Sequence, residues 1–244
     1  MDHLIFTAVS GASHTLMEQQ IRANNLANAN TDGFRADLDQ ARSEAVPGEG
    51  YSSRFLVKQE DGGVDMTPGV IVQTGRPLDV AIKGQGLIAL QSPQGEVYTR
   101  SGNMQQDADG ALTIGGLPVL GDGGPIVLPP NALASVGTDG TISVLPDDGD
   151  VAATMEVDRI KLVNVPTNQL SKNASGQIVT RTGLPAAVDE NVALVDNSLE
   201  SSNVSAVTEM VSTISLNRQF EAQIKMMKAA EDLSDAGNRL LRDS

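Results

Sequence analysis

The sequence predicts an α+β protein in which long N- and C-terminal coiled-coil-like helices pack together and a central antiparallel β domain lies between them in the chain. Three observations carry this reading. Apolar residues near both ends recur at alternating steps of four and three. In the middle of the chain the period drops to two. Glycine-containing turn dipeptides punctuate that middle stretch. The resulting boundaries are an N-terminal helix in residues 1–34, an extended arm or loop in 35–65, a β-rich domain in 66–200 and a C-terminal helix in 201–244.

The N-terminal helix is expected from residue 3 to about residue 30. Its seam is Ile5, Val9, Ala12, Leu16, Gln19, Ala23 and Leu26, with Asp2 as N-cap. Asp32-Gly33-Phe34 reads as its stop, Gly33 taking the left-handed cap conformation and Phe34 folding back on the last apolar turn. Residues 35–65 carry little pattern. Strands are expected at Leu78–Ile82, Leu87–Leu90, Ile142–Leu145, Asp158–Val163 and Gln177–Thr180. Turns are expected at Gln94-Gly95, Asp109-Gly110, Asp122-Gly123, Asp139-Gly140 and Ser175-Gly176. The C-terminal helix is expected from about Asn203 to about Arg242, roughly 60 Å long at 1.5 Å per residue. Ser202 or Asn203 would cap it, with Glu209 in its early turns and a seam of Leu216, Phe220, Gln223, Met227, Ala230, Leu233, Gly237 and Leu240.

Composition narrows the function classes. The 244-residue chain has 40% hydrophobic residues but only 2% aromatic ones, so its core must be aliphatic, and ligand pockets usually need more aromatic lining. A net charge of −14 opposes binding to nucleic acid, which requires cations along the phosphates, and to anionic membrane surfaces. With no cysteine there are no disulfides, zinc thiolates or thiol nucleophiles. No apolar run approaches the roughly 18 residues of a membrane-spanning helix. The opening, with Asp2 and spaced apolar residues, is not built like a cleaved Sec leader.

Both helical seams are rich in small and polar residues: Ala12, Gln19 and Ala23 in one, Gln223, Ala230 and Gly237 in the other. Such seams bury little apolar area, at about 25 cal/mol per Å², while ordering costs roughly 1–2 kcal/mol per residue. Two arrangements fit. The termini could become helical only within a bundle of many subunits, where small residues permit close approach and Asn and Gln set register. Alternatively, they could pack across the β domain of a single chain.

Ala23-Asn24-Asn25-Leu26-Ala27-Asn28-Ala29-Asn30-Thr31-Asp32-Gly33-Phe34-Arg35 closely resembles the N-terminal signature of flagellar rod and hook proteins. Thr74 through Gly86 resembles that family's TGxPLDVAIxGxG block, Tyr98 through Met104 its YTRxGxF block, and Ser202-Asn203-Val204 with Glu209-Met210 the start of its C-terminal helix. Leu87 and Met104 depart from the pattern, standing where the family usually has Phe. The opening Met1–Ala12 looks most like a proximal-rod member, with a distal-rod or short hook-like subunit as the alternative. The resemblance implies a structural subunit of the basal-body rod in the periplasm, joining inner rod to distal rod and transmitting torque. It implies export through the flagellar type III apparatus, with copies of itself, inner-rod subunits and the distal-rod subunit as partners. No catalytic residue or cofactor is implied. Interface residues would be Ile5, Ala12, Leu16, Asn24, Asn25, Leu26, Asn28, Gly33 and Phe34 at one end, and Leu216, Phe220, Met227, Leu233 and Leu240 at the other.

Other patterns carry less. Gly84-x-Gly86-x-x-Ala89 matches a dinucleotide fingerprint in form, but a strand ending at Pro93 is expected where a helix should begin. Asp147-Asp148-Gly149-Asp150 lacks the glutamate of a calcium loop and reads as a solvated turn. His3 and His14 are eleven apart, whereas metal ligands on a helix usually stand three or four apart. Met210, Met226 and Met227 suit either seam packing or adaptable contacts with unlike neighbours. From another class, a secreted β-rich binding module would share the middle segment but gives no reason for the two heptad ends.

Overall fold

The structure is a computed structural model. It describes residues 2–45, 55–129, 133–145 and 155–242, with the side chains of all of these but 2–4, 59, 61, 238 and 240–242. The Asp147–Asp150 run and the side chains of His3 and Leu240 lie outside the described residues. It is an α+β chain with a helix at each end and an antiparallel β region between them in sequence. Two compact units result: Met1–Ala27, Asp37–Gly62 and Ser205–Ser244 form one, Asn28–Ala36 and Gly63–Val204 the other.

In the first unit, α1 spans Asp2–Ala27 and α2 spans Ala206–Arg242. Both differ at one end from the sequence expectation. α1 stops at Ala27, six residues before Gly33, so Gly33 is not its C-cap. The asparagines explain the early stop, because their side chains compete for backbone partners that a helix would use. Asn25 does so outright. Its Nδ2 donates to Asp37 O at 3.1 Å, and its Oδ1 accepts from Asp37 N at 2.9 Å. At the start of α2 the cap is Ser205, whose Oγ lies 3.4 Å from Thr208 N and 3.0 Å from Thr208 Oγ1. Asn203 is engaged elsewhere: it accepts from Ala36 N and donates to the carbonyls of Asp65 and Thr67.

The patternless segment 35–65 holds two strands, Asp37–Ala45 and Phe55–Val64. They run antiparallel, as the cross-strand pairs Arg42–Glu60 at 3.4 Å and Glu44–Lys58 at 3.3 Å show. Both strands are largely exposed, and their apolar residues do not alternate (Phe55, Leu56 and Val57 are consecutive), so no half-buried strand pattern marks them in the sequence. A two-stranded ribbon is marginal alone. This one leans on α1 through Asn25–Asp37, through Ser10 Oγ to Val57 O at 3.5 Å, and through His14 Nε2 to Asp39 Oδ2 at 3.1 Å.

In the second unit, a five-stranded antiparallel sheet runs in the order Leu162–Val163, Leu87–Ser92, Gly95–Thr99, Ile178–Thr180, Leu170–Lys172. A three-stranded sheet comprises Leu133–Val136, Thr141–Leu145 and Met155–Arg159. The expected strand at 158–163 is therefore split between two sheets. Val80–Lys83 pairs with Ala193–Asp196, and Ile71–Gln73 with Ser198–Glu200. The main core is aliphatic, with Val80, Ile82, Ile88, Leu112, Val119, Ile142 and Leu162 among its members. Met104 is buried in it, and Leu87 is buried in a second cluster with Tyr98, Leu170 and Ile178, so both positions that depart from Phe are filled.

Tyr98 is the one described aromatic deep in this core, and its hydroxyl accepts the Ala186 N–H at 2.8 Å. Burial pushes its pKa up to about 12, against the opposing hydrogen bond from Ala186. In the unfolded chain a tyrosine ionises near 10. Above about pH 10 the unfolded state therefore binds fewer protons than the folded one, and stability falls until the folded pKa is passed. Urea unfolding at pH 9 and pH 11.5 should show this loss in the wild type, and Tyr98→Phe should reduce it. Equal losses in both proteins would exclude Tyr98 as its source.

Candidate assembly surface and a buried ionic centre

The two terminal helices pack against each other antiparallel. Thr15 Oγ1 lies 3.2 Å from Gln223 Oε1, Gln19 Nε2 donates to Asn217 Oδ1 at 2.6 Å, and Arg22 Nη1 reaches Glu209 Oε1 at 3.3 Å. Partner numbers fall along α2 as they rise along α1. A Cβ at Gly11 would sit 2.9 Å from Gln223 Nε2, the end of a flexible side chain that could shift to admit it. The seam of α1 is offset from the expected one. Ala8, Ala12 and Thr15 are buried and Gln19 and Arg22 half-buried, whereas Val9, Leu16 and Ala23 are exposed. On α2 the expected seam holds at Leu216, Phe220, Gln223, Met227 and Ala230, and half-buried Ser234 takes the place of Leu233.

At about 100° per residue, α1 thus has three faces. One meets α2, and one carries Ser10, His14 and Asn25 toward the ribbon. The third bears Phe6, Val9, Leu16 and Met17, of which Phe6 is 67% exposed. On α2 a similar apolar side, opposite the α1 seam, comprises Val207, Met210, Val211 and Ile214, and Val211 is 62% exposed. Leu233 is 61% exposed further along.

The second unit contains a buried ionic centre. Glu200, Arg35 and Arg100 are each no more than 2% exposed. Glu200 Oε1 accepts from Arg35 Nη2 in a very short contact and from Gly69 N at 2.8 Å; Oε2 accepts from Arg100 Nε at 2.8 Å and lies 2.6 Å from Arg100 Nη2 as an ion pair. The remaining Arg100 donors go to Gly84 O at 2.8 Å, Gly86 O at 2.9 Å and Ile82 O at 3.1 Å. Burial lowers the Arg100 pKa from the ordinary arginine value, Glu200 opposes that, and Arg35 adds to it. Two cations thus face one carboxylate, and Arg35 Nε has no hydrogen-bond partner.

Gly33 and Phe34 border this centre. Phe34 N donates to Thr31 O at 3.2 Å, closing a turn in which Gly33 has φ +69°. Gly33 N donates to Glu200 O at 2.6 Å. Lys172 Nζ lies 4.1 Å over the Phe34 ring and 2.8 Å from Arg35 O. Asn30–Arg35 also form one wall of a groove of about 570 Å³ whose other side includes Tyr98, Ile114 and Gln177.

The other expected residues are dispersed. Ile5, Leu26, Phe220 and Met227 are half-buried, Ala12, Asn25 and Leu216 buried, Leu16, Asn24 and Leu233 exposed, and Asn28 half-buried. Glu200 carries no motif that would mark it in the sequence. A glutamate among Leu199 and the apolar 192–195 run is its only local trace. Gly84 and Gly86 lead into the strand Leu87–Ser92, not into a helix N-terminus, and their carbonyls hold Arg100 where a phosphate cradle would need N–H groups. The methionines divide as well: Met210 and Met226 are exposed, and Met227 is half-buried at the seam.

A chain that pairs its two terminal helices, has a β-rich middle segment and carries this signature loop fits the axial class of flagellar proteins, and the family models agree. Residues 5–35 match the "Flagella basal body rod protein" model, 81–144 the "Flagellar hook protein FlgE/F/G D1 domain" and 195–240 the "Flagellar basal body rod FlgEFG protein C-terminal". The flagellar basal-body rod protein FlgF of Salmonella typhimurium is 40% identical, and that of Escherichia coli 41%, each over 99% of both chains. The rod protein FlgG of Bacillus subtilis is 26% identical over 94% of this chain and 95% of its own. The chain belongs to the FlgF family of flagellar basal-body rod proteins. It is a structural protein and not an enzyme.

Proposed function

We propose that this chain polymerises through its terminal helices into the segment of rod that connects the inner rod to the distal rod protein FlgG, and that it transmits torque there. In this reading the terminal helices line the inner tube. The subunits reach the periplasm through the flagellar type III export apparatus. Among the described residues no helix is long and apolar enough to cross a membrane. The supporting observation is the pair of apolar faces left exposed on α1 and α2, Phe6–Val9–Leu16–Met17 and Val207–Met210–Val211–Ile214. Contiguous exposed apolar surface of this kind marks an interaction site, and covering one Val, Ile or Leu side chain is worth about 1.5–3 kcal/mol.

Val211→Asp combined with Ile214→Asp tests this without touching the α1–α2 seam. The double variant should fold and be exported normally, yet leave hook–basal bodies and motility reduced at least tenfold, as read by swimming assays and mass spectrometry of purified particles. Wild-type motility would remove these helices from the subunit contacts. Cryo-electron microscopy of the same particles then places the chain: a position between inner and distal rod supports the proposal, and one along the distal segment assigns it the role of FlgG.

A further inference from the structure

We propose that His14, Glu18 and Asp39 form a divalent transition-metal site that fastens α1 to the β-ribbon. His14 and Glu18 are one turn apart on α1, at the i,i+4 spacing that puts two ligands on one helix face. Asp39 comes from the neighbouring strand Asp37–Ala45. One ligand atom of each of the three lies within 4.8 Å of the others, and all three residues are half-buried. The set is a neutral-capable imidazole and two carboxylates, the mixture found in three-ligand zinc sites with a fourth position for water.

The His14–Asp39 geometry adds an independent argument. His14 Nε2 is 3.1 Å from Asp39 Oδ2, yet it is buried and makes no hydrogen bond. The two atoms are near each other without being aimed at each other. Ligands bonded at about 2.0–2.2 Å to one tetrahedral Zn²⁺ stand about 3.3–3.6 Å apart, with their lone pairs converging on the ion and not on one another. The observed pair needs only a few tenths of an ångström to reach that separation. Arg22 Nη2 takes one Glu18 oxygen at 3.5 Å and also reaches Glu209, so it can lean toward Glu209 when a cation arrives. The two carboxylates would balance the charge of the ion.

Isothermal titration of the full chain with ZnCl₂ at pH 7.5 should show one site with a Kd below about 10 µM, and a raised Tm in the metal-loaded protein. His14→Ala and Asp39→Asn should each weaken binding at least tenfold and abolish the Tm increase. His3→Ala, removing the only other histidine, should leave both readouts unchanged. Should His14→Ala fail to fold, Glu18→Gln, an isosteric change at the most exposed ligand, supplies the same comparison. Absence of Zn²⁺ binding, or binding equal in the wild type and the His14 and Asp39 variants, would overturn the site and leave His14–Asp39 as an ion pair only.

Discussion

Glu200→Ala should destabilise the β-rich unit by about 3–5 kcal/mol, the range for leaving a buried charge without its partner. The reason is stoichiometric. Glu200 is the one carboxylate between two guanidinium groups, all three nearly inaccessible to water; it accepts three hydrogen bonds, one of them from the Gly69 backbone, and makes a further ion-pair contact with Arg100 Nη2. Its removal leaves two like charges side by side, each needing desolvation that nothing offsets. Arg35→Met should cost clearly less. Arg35 carries the excess positive charge and has an Nε without a partner, so its loss leaves a balanced Arg100–Glu200 pair. Arg100→Met lies between or above, since three carbonyls, at Ile82, Gly84 and Gly86, lose their donor. Urea unfolding followed by far-UV circular dichroism ranks the three. A loss of under about 1 kcal/mol for Glu200→Ala would show that water or rearranged backbone satisfies the arginines.

Gly33→Ala should cost about 3 kcal/mol and disturb the signature loop. Two effects add. The residue sits at φ +69°, where an L side chain is strained, and its Cβ would lie 2.1 Å from Ser101 N and 2.4 Å from Arg100 C. The Arg100–Ser101 backbone cannot yield as a flexible side chain could, so the loop must lift. Lifting breaks the Gly33 N–H bond to Glu200 O and loosens the adjacent Arg35 contact. Gly176→Ala separates the two effects, because Gly176 has φ +77° but nothing within 4 Å of the place its new methyl would occupy. It should cost about 1 kcal/mol. Equal losses at the two positions would mean that backbone conformation alone makes Gly33 necessary and that the Ser101 contact is dispensable.

These two positions show how differently the sequence and the structure speak. Gly33 stands out in the sequence because it follows an asparagine-rich helix end within a family signature, but it is not the helix cap. α1 ends earlier, where Asn25 turns its amide to Asp37, and Gly33 instead seats the loop against the Arg100–Ser101 peptide. Arg35 and Arg100 are visible only as letters inside motifs. Nothing local joins them to Glu200, which is 165 residues from one and 100 from the other.

What the sequence determined by itself is whatever depends on neighbours along the chain. The 3.6- and 2-residue periods, the turn glycines and the Asn-rich stop are local signals, and the helix–β–helix order with its aliphatic core follows from them. The family assignment is legible for the same reason. Tertiary structure decided what depends on distant partners. The α1 seam is one case: a helix with alanine, threonine and glutamine spread over adjacent faces can be read one residue out of phase, and α2 selects the face on which Thr15 meets Gln223 and Gln19 meets Asn217. The exposed ribbon of Asp37–Ala45 and Phe55–Val64 is another, since its strands exist by pairing with each other and leaning on α1, with no apolar alternation of their own. The buried Arg35–Glu200–Arg100 centre is the third. A charge can enter the core only where opposite charges arrive from elsewhere in the chain, and no local pattern encodes that meeting.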